Sequence, residues 1–267
     1  MKNKLFLLFL VAAVFIFCKA IEAQELVKDR ISYIALPDYF GFSDHKNFSI
    51  ELDEEESKGT YTLDVQDKIT FVNVNFSNGK KERFLLLASN VIGVLYNSDG
   101  NRVAFGMSGG ANRANVVDGP GSVSASSFLK EGAVSYLPKN ISDWDKTDKP
   151  WVEGVDGYGI GEKLIFNCSP GSFHISIGYV SYKKPYLYTQ NSRPKTIKIT
   201  VEGEEPIIVE LKDTPHYQQV MHPGYGTTVL EILDVYPGTK YKDTCINSII
   251  CDMSDPKRYT VYEYWKE

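Results

Sequence analysis

The run Trp151-Val-Glu-Gly-Val-Asp-Gly-Tyr-Gly-Ile-Gly-Glu162 brings carboxylates, aromatic rings and glycines together in one short stretch. Two chemistries use that mixture. Glu153, Asp156 and Glu162 are the kind of carboxylate group a glycosidase employs as acid and base. Acids set between glycines, however, more often serve as partners of turn backbone, and that reading is preferred. The second chemistry is recognition: Trp151 and Tyr158 ride on a loop whose glycines (154, 157, 159 and 161) let the backbone approach a ligand closely. Trp151 reads equally well as a plug of the core beneath the loop. The glycine spacing is not a dinucleotide fingerprint, because no helix follows it. His45, His174, His216 and His222 are scattered, and no serine elbow, Cys–His pair or metal-ligand motif accompanies them. The chain reads as a binding protein and not as an enzyme.

The neighbouring connections carry flat rings beside planar hydrogen-bonding groups, the materials of a recognition site. Trp144, Trp151, Tyr158, Tyr182, Tyr186, Tyr188 and Tyr217 supply candidate rings; Asn191, Arg193 and His216 supply candidate hydrogen bonds. The competing reading for Arg193, slightly preferred, is a buried salt bridge to Glu153 or Glu162 that locks the loops. Asn191 likewise could bond loop backbone. Lys183-Lys184 reads as a solvated turn.

The elements that must position these groups are β-strands. Phe48–Leu52 and Tyr61–Val65 alternate apolar and polar residues, and Ile69–Phe76 continues the pattern. Ser77-Asn-Gly-Lys80 and Asn97-Ser-Asp-Gly100 are hairpin turns between further short runs. Residues 24–106 therefore form a small antiparallel β-domain of about six strands. Residues 107–124, small and turn-rich, read as a linker. Residues 125–253 form a second all-β unit, a sandwich or jelly roll, with strands at Lys163–Phe166, Phe173–Gly178, Thr196–Val201, Ile207–Leu211, Thr227–Val235 and Ile246–Cys251. Residues 254–267 are a tail. In an antiparallel sandwich successive connections alternate ends. The short connections at 167–172 and 202–205 fall at one end. The long ones at 138–161, 181–193 and 212–226 fall at the other, and all three carry aromatic residues. Long connections in a compact domain are usually functional or disordered, and three aromatic ones at one end favour function.

Composition narrows the partners. The 267 residues are 43% hydrophobic, with 17 Tyr and 14 Phe against 4 Met and 4 His, a balance that favours strands. A net charge of −5 offers nothing to nucleic acid or to an anionic membrane surface. Residues 1–23 have the basic start and short apolar run of a signal peptide. Cys18 is a candidate lipid anchor, the sole route to a membrane. Among the other cysteines, Cys245 and Cys251 lie too far apart along one strand to bridge each other, whereas Cys168 could pair with either. Asp53-Glu-Glu-Glu56 reads as a solvated turn.

Several motifs in order resemble a known family. They are Ala125-Ser-Ser127, Trp151-Val-Glu-Gly154 with Gly159-Ile-Gly-Glu162, Gly178-Tyr179, Asn191-Ser-Arg-Pro-Lys195 and Val235-Tyr-Pro-Gly-Thr-Lys-Tyr-Lys-Asp-Thr244. Residues from about 125 to 252 resemble the NADase-type glycan-binding domain, a discoidin-like or galactose-binding-like β-sandwich. The resemblance implies a jelly roll and a carbohydrate- or glycoconjugate-binding role on exported bacterial proteins. It implies no cofactor. Relatives can hold a structural calcium ion in the loop that here reads Asp143-Trp-Asp-Lys-Thr-Asp-Lys-Pro-Trp151. Asp143, Asp145, Thr147 and Asp148 could supply oxygens, though Trp144 stands where a turn glycine is expected and Lys149-Pro150 replaces the usual threonine step.

Overall fold

The computed structural model describes residues 40–252, apart from 44–45, 53–54, 90–91, 108–116, 169–170, 223 and 225. The signal segment, Cys18, the C-terminal tail, His45 and Tyr225 lie outside the described residues.

The N-terminal unit is a meander. Strands β1 (Phe40–Ser43), β2 (Asn47–Leu52), β3 (Glu55–Gln66), β4 (Ile69–Phe76), β5 (Lys81–Ala88), β6 (Ile92–Tyr96) and β7 (Arg102–Met107) pair antiparallel in chain order. Seven described strands thus stand where the sequence suggests about six. The β4–β5 turn has the expected chemistry: Gly79 sits at φ +87°, and the Asn78 side chain accepts the Lys80 N–H at 2.9 Å. Alternation sorts the side chains onto two faces. Ile69, Phe71, Leu85, Leu87, Ile92, Val94, Tyr96 and Phe105 share one buried cluster. Val72, Val74, Phe76, Phe84, Leu86, Leu95 and Ala104 share another with Phe48, Ile50 and Tyr61. Strand β7 comes against β1 and β2, so the sheet curls around the second cluster. The first cluster needs another cover.

The second unit supplies it. Strands β8 (Val117–Asp118) and β9 (Gly121–Ala125) already belong to the sandwich, so part of the stretch read as linker is sheet. A small hairpin, β10 (Lys130–Glu131) with β11 (Val134–Ser135), and a 3-10 turn at Pro138–Ser142 lead to β12 (Trp151–Val152). Then come β13 (Lys163–Cys168), β14 (Gly171–Ile177), a short helix Leu187–Gln190, β15 (Arg193–Val201), β16 (Ile207–Glu210), β17 (Gln218–His222), β18 (Gly226–Tyr236) and β19 (Cys245–Asp252). One sheet runs β12-β19-β14-β17, with β8 on β19. The other runs β16-β15-β18-β13-β9. The fold is the expected all-β, discoidin-like sandwich.

Its core lies between the sheets and includes Trp151, Phe166, Phe173, Ile197, Leu230 and Ile249. Cys168 and Cys251 form a disulfide that joins β13 to β19, hence one sheet to the other. The two cysteines are 83 residues apart. A closed loop of that length constrains the unfolded chain by about 4.5 kcal/mol in the chain-entropy picture. Cys245 remains a buried free thiol. On β19 the residues alternate: Ile249 and Cys251 face the sandwich core, whereas Ile250 joins Phe71, Leu87 and Val94 of the meander. The outer face of the β12-β19-β14-β17 sheet is therefore the cover that the first meander cluster requires, and the molecule has three β-layers.

Candidate functional site at the long-loop end

The connections at 178–192, 211–217 and 237–244 meet at one end of the sandwich, joined by the loop 153–162. This is the end that strand parity assigns to the long loops. The structure adds 237–244 to them and finds β17 inside the segment read as a single loop at 212–226. What lies over that end differs from one side to the other.

One side is covered by the meander. Tyr188 and Tyr217 are fully buried, and Trp144 is 7% exposed. The Trp144 ring meets Phe105 edge-on at 5.0 Å, and the Arg102 guanidinium lies 4.3 Å from its centre. Tyr96 donates its hydroxyl to the Trp144 carbonyl at 2.8 Å, and its hydroxyl lies 3.3 Å from that of Tyr217. Burial pushes the Tyr217 phenol up to about 12. Tyr182 meets Phe71 edge-on at 5.3 Å and donates to the Arg83 carbonyl at 3.1 Å. His216 Nδ1 accepts the Ala88 N–H at 3.1 Å, which leaves Nε2 as the protonated nitrogen facing Thr70 Oγ1 at 3.0 Å. These residues hold two layers together, and a ligand would have to displace the meander to touch them. The expectation that Trp144, Tyr188, Tyr217 and His216 face an outside molecule is corrected accordingly. Trp151 is the core plug, its Nε1–H donating to the Ser127 carbonyl at 3.0 Å.

Arg193 is also buried and forms a salt bridge, but its partner is Asp213 and not Glu153 or Glu162. The guanidinium forks onto the carboxylate at 2.8 and 3.0 Å. Asp213 additionally accepts from Tyr188 at 3.2 Å and from Lys68 of the meander at 2.6 Å. Burial pushes the Asp213 carboxyl up, but the hydrogen bonds and charges of Arg193 and Lys68 outweigh it and hold the group below its ordinary value. Asn191 is buried and donates its amide to the Leu187 carbonyl at 2.9 Å, the backbone role considered for it.

The carboxylates of the proposed calcium loop diverge. Asp145 pairs with Arg102 at 2.5 Å, and Asp143 with Lys146 at 3.7 Å. Thr147 is buried against Gly100, whose carbonyl accepts its N–H. Asp148 is drawn toward β14, its N–H donating to the Val180 carbonyl. Among the described residues no three acidic, His or Cys side chains converge on one point.

The acid–glycine loop is likewise structural in part. Glu153 is fully buried, and its two oxygens accept the N–H groups of Val155 at 2.9 Å and Thr244 at 3.1 Å. Gly159, at φ +64°, makes room for it: a Cβ there would come within 2.4 Å of Glu153 Cγ. Burial raises the Glu153 carboxyl, and the two backbone N–H groups oppose that rise. Glu162 accepts hydroxyls from Ser126 and Ser127. Asp156 is exposed.

The other side of the loop end is open. Tyr186 is 43% exposed, Tyr241 37%, and Tyr158 is half-buried. They are carried on one continuous ledge. The N–H groups of Lys240 and Tyr241 both donate to the Gln190 carbonyl at the end of the short helix, at 3.1 and 2.8 Å, and that of Thr239 to the Thr189 carbonyl at 3.0 Å. At the other margin Thr244 Oγ1 donates to the Tyr158 carbonyl at 2.8 Å. Lys240 and Lys242 lie over the rings of Tyr241 and Tyr158 at 4.8 and 5.8 Å. Of the expected ring residues, Tyr186 and the half-buried Tyr158, packed in part on the sandwich core, lie on this side, whereas Tyr182 belongs to the side covered by the meander. Tyr241, Lys240 and Lys242 are further candidates on this side that the sequence reading does not single out. The signal was available: the connection after β18 falls, by parity, at the long-loop end.

A search among curated proteins finds no match. Among solved structures, the family 32 CBM from C. perfringens NanJ in complex with galactose aligns at TM-score 0.36 and 13% identity, covering 51% of this chain and 98% of that one. A likeness at that level says nothing about ligand. The family model for the NAD glycohydrolase translocation F5/8 type C domain matches residues 115–252, which begins just before β8 and ends at the last residue of β19, and the chain belongs to that family.

Proposed function

We propose that the chain is a non-catalytic, exported carbohydrate-binding protein whose ligand lies on the open half of the long-loop end, against Tyr158, Tyr186 and Tyr241 with Lys240, Lys242 and Asp156 at the margin. The observation that carries this reading is the set of backbone bonds tying loop 237–244 to the short helix, with the Thr244–Tyr158 bond tying it to loop 153–162. They support three tyrosines on one rigid ledge. Pre-set rings and cationic donors suit a hydroxylated ligand with an apolar face.

Membership of a family described as a translocation domain supports a binding role over a catalytic one. Glu153 and Glu162 are spent on backbone and serine partners, which argues against their service as a glycosidase pair. The inter-sheet disulfide is the kind of bond that persists in an oxidising compartment, which supports export. Lipidation at Cys18 belongs to the same reading and is tested by mass spectrometry of the mature N-terminus.

A protein partner is the second reading, and one observation favours it. Phe128, Val155 and Ile160 are exposed beside the ledge. Glycan-array binding of the full chain, repeated with Tyr241→Ala and Tyr186→Ala, separates the two. Binding that falls in both variants supports the ledge. Absence of any bound glycan, or two variants that bind as wild type, rejects it.

A further inference from the structure

The meander carries a second polar site that the ledge does not explain. Strands β2 and β4 both run antiparallel to β3, and each presents the same tripeptide to it: Asn47-Phe-Ser49 on one side and Asn75-Phe-Ser77 on the other. The register sets them in rows. Asn47 lies opposite Thr60, and Thr60 opposite Asn75. Two residues along, Ser49 lies opposite Lys58, whose carbonyl accepts the N–H and hydroxyl of Ser77. Residues directly opposite each other on antiparallel strands share a face. Both rows therefore point outward, and the row between them, Phe48, Gly59 and Phe76, belongs to the other face.

That middle row explains why the repeat holds its shape. The Phe48 and Phe76 rings meet edge-on at 6.3 Å across the glycine, inside the meander core. A Cβ on Gly59 would come within 2.4 Å of the Asn75 carbonyl oxygen, so no side chain fits there. On the outside, Asn47, Ser49, Lys58, Thr60, Asn75 and Ser77, with Phe48 and Gly59, line a cleft of about 490 Å³. Its walls are the two rows, set two residues apart along the strands, about 6.8 Å, with the backbone of Phe48 and Gly59 as floor. No carboxylate lines it. Among the described residues, no hydrogen bond to protein engages the side chains of Asn47, Ser49, Thr60 and Asn75; Asn47, Thr60 and Asn75 are exposed and Ser49 is half-buried, so two carboxamides and two hydroxyls face solvent on one surface.

We propose that this cleft is a carbohydrate-binding site separate from the loop-end ledge, in which the row Asn47, Thr60 and Asn75 and the row Ser49, Lys58 and Ser77 hydrogen-bond the hydroxyl edges of a neutral oligosaccharide lying across β2, β3 and β4. Carboxamides and hydroxyls both donate and accept, as sugar hydroxyls do. An apolar ligand would leave all of these groups unpaired. The Phe48 ring is buried, so the ligand is held by its edges and not stacked on a ring. The site does not depend on the ledge.

The test is an NMR titration of the full chain with maltohexaose, cellohexaose and chitohexaose, followed on backbone amides and on the Asn47 and Asn75 side-chain amides. The expected result is saturable shifts at 47–49, 58–60 and 75–77 with at least one of the three. They persist in Tyr158→Ala/Tyr241→Ala, which disables the ledge, and affinity falls about tenfold or more in Asn47→Ala/Asn75→Ala, as loss of two hydrogen-bonding side chains predicts. Both substitutions lie on the exposed outer face, so an unchanged spectrum elsewhere certifies the fold. The proposal is overturned if none of the three saccharides shifts these amides, if the shifts vanish with the ledge variant, or if the double asparagine variant binds as wild type.

Discussion

The two halves of the long-loop end are built from the same materials and do opposite things. Connections 178–192 and 211–217 carry Tyr182, Tyr188, His216 and Tyr217, and these pack against the meander with their polar tips paired. Connections 153–162 and 237–244, with Tyr186 at the helix start, carry Tyr158 and Tyr241, and there the loops are tied to one another while no second sheet lies over the rings. A tyrosine contributes a large apolar ring and one polar tip in either setting. Where a second sheet lies over it the ring is glue; where nothing does, it stays in solvent and is the platform proposed above. Aromatic content in a loop therefore identifies a surface that wants a partner, and the partner can be the chain's own first domain.

This contrast can be broken experimentally. Trp144→Ala or Tyr217→Ala should lower stability by roughly 3–5 kcal/mol, the cost of emptying a packed aromatic site, seen as a large drop in the thermal midpoint. A variant that stayed as stable as wild type yet lost glycan binding would move the site to the covered half. Replacing Arg193 by Met should cost about 3 kcal/mol, because it strips Asp213 of its forked partner in a largely buried setting.

The same pair predicts a pH dependence. The folded-state pKa of Asp213 lies below its unfolded value, so the stabilisation is present above about pH 3.9 and is lost as pH falls through the folded value. Acid titration of stability should show a slope below that pH in wild type and a smaller one in Arg193→Met. His222 sharpens the acid side further. Burial lowers its pKa, so the neutral ring is favoured on folding and stability declines as pH falls below about 6.5; His222→Gln should remove that decline. On the open half, Tyr241→Ala should change stability by no more than about 0.5 kcal/mol while weakening glycan binding about tenfold. Smallest of all, Lys183→Ala breaks an exposed pair with Asp99 at 2.8 Å and should leave the thermal midpoint unmoved.

Much of the scaffold is legible in the chain. Alternation at 69–76 and 196–201 marks strands, Asn-Gly at 78–79 marks a hairpin, and the cysteine spacing leaves Cys168 as a partner in any bridge. Parity gathers the long loops at one end. Strand β17 was hidden because Gln-Gln-Val-Met-His does not alternate in polarity: Met221 is exposed and His222 buried, so burial alternates where residue type does not. The acids at 143–148 resembled a cation loop because their chief competitor, Arg102, comes from the meander and is invisible in the local sequence.

Period-two patterning, turn chemistry and cysteine positions are local properties, and the chain by itself determined them: an all-β molecule of two units, with aromatic loops at a shared end. Which of those rings meet solvent is a property of assembled surfaces. The meander has apolar residues on both faces, and curling its sheet hides only one of them. The other had to find a cover, and tertiary packing set it on the outer face of the neighbouring sheet and half of the tyrosine-bearing end, leaving Tyr158, Tyr186 and Tyr241 outside.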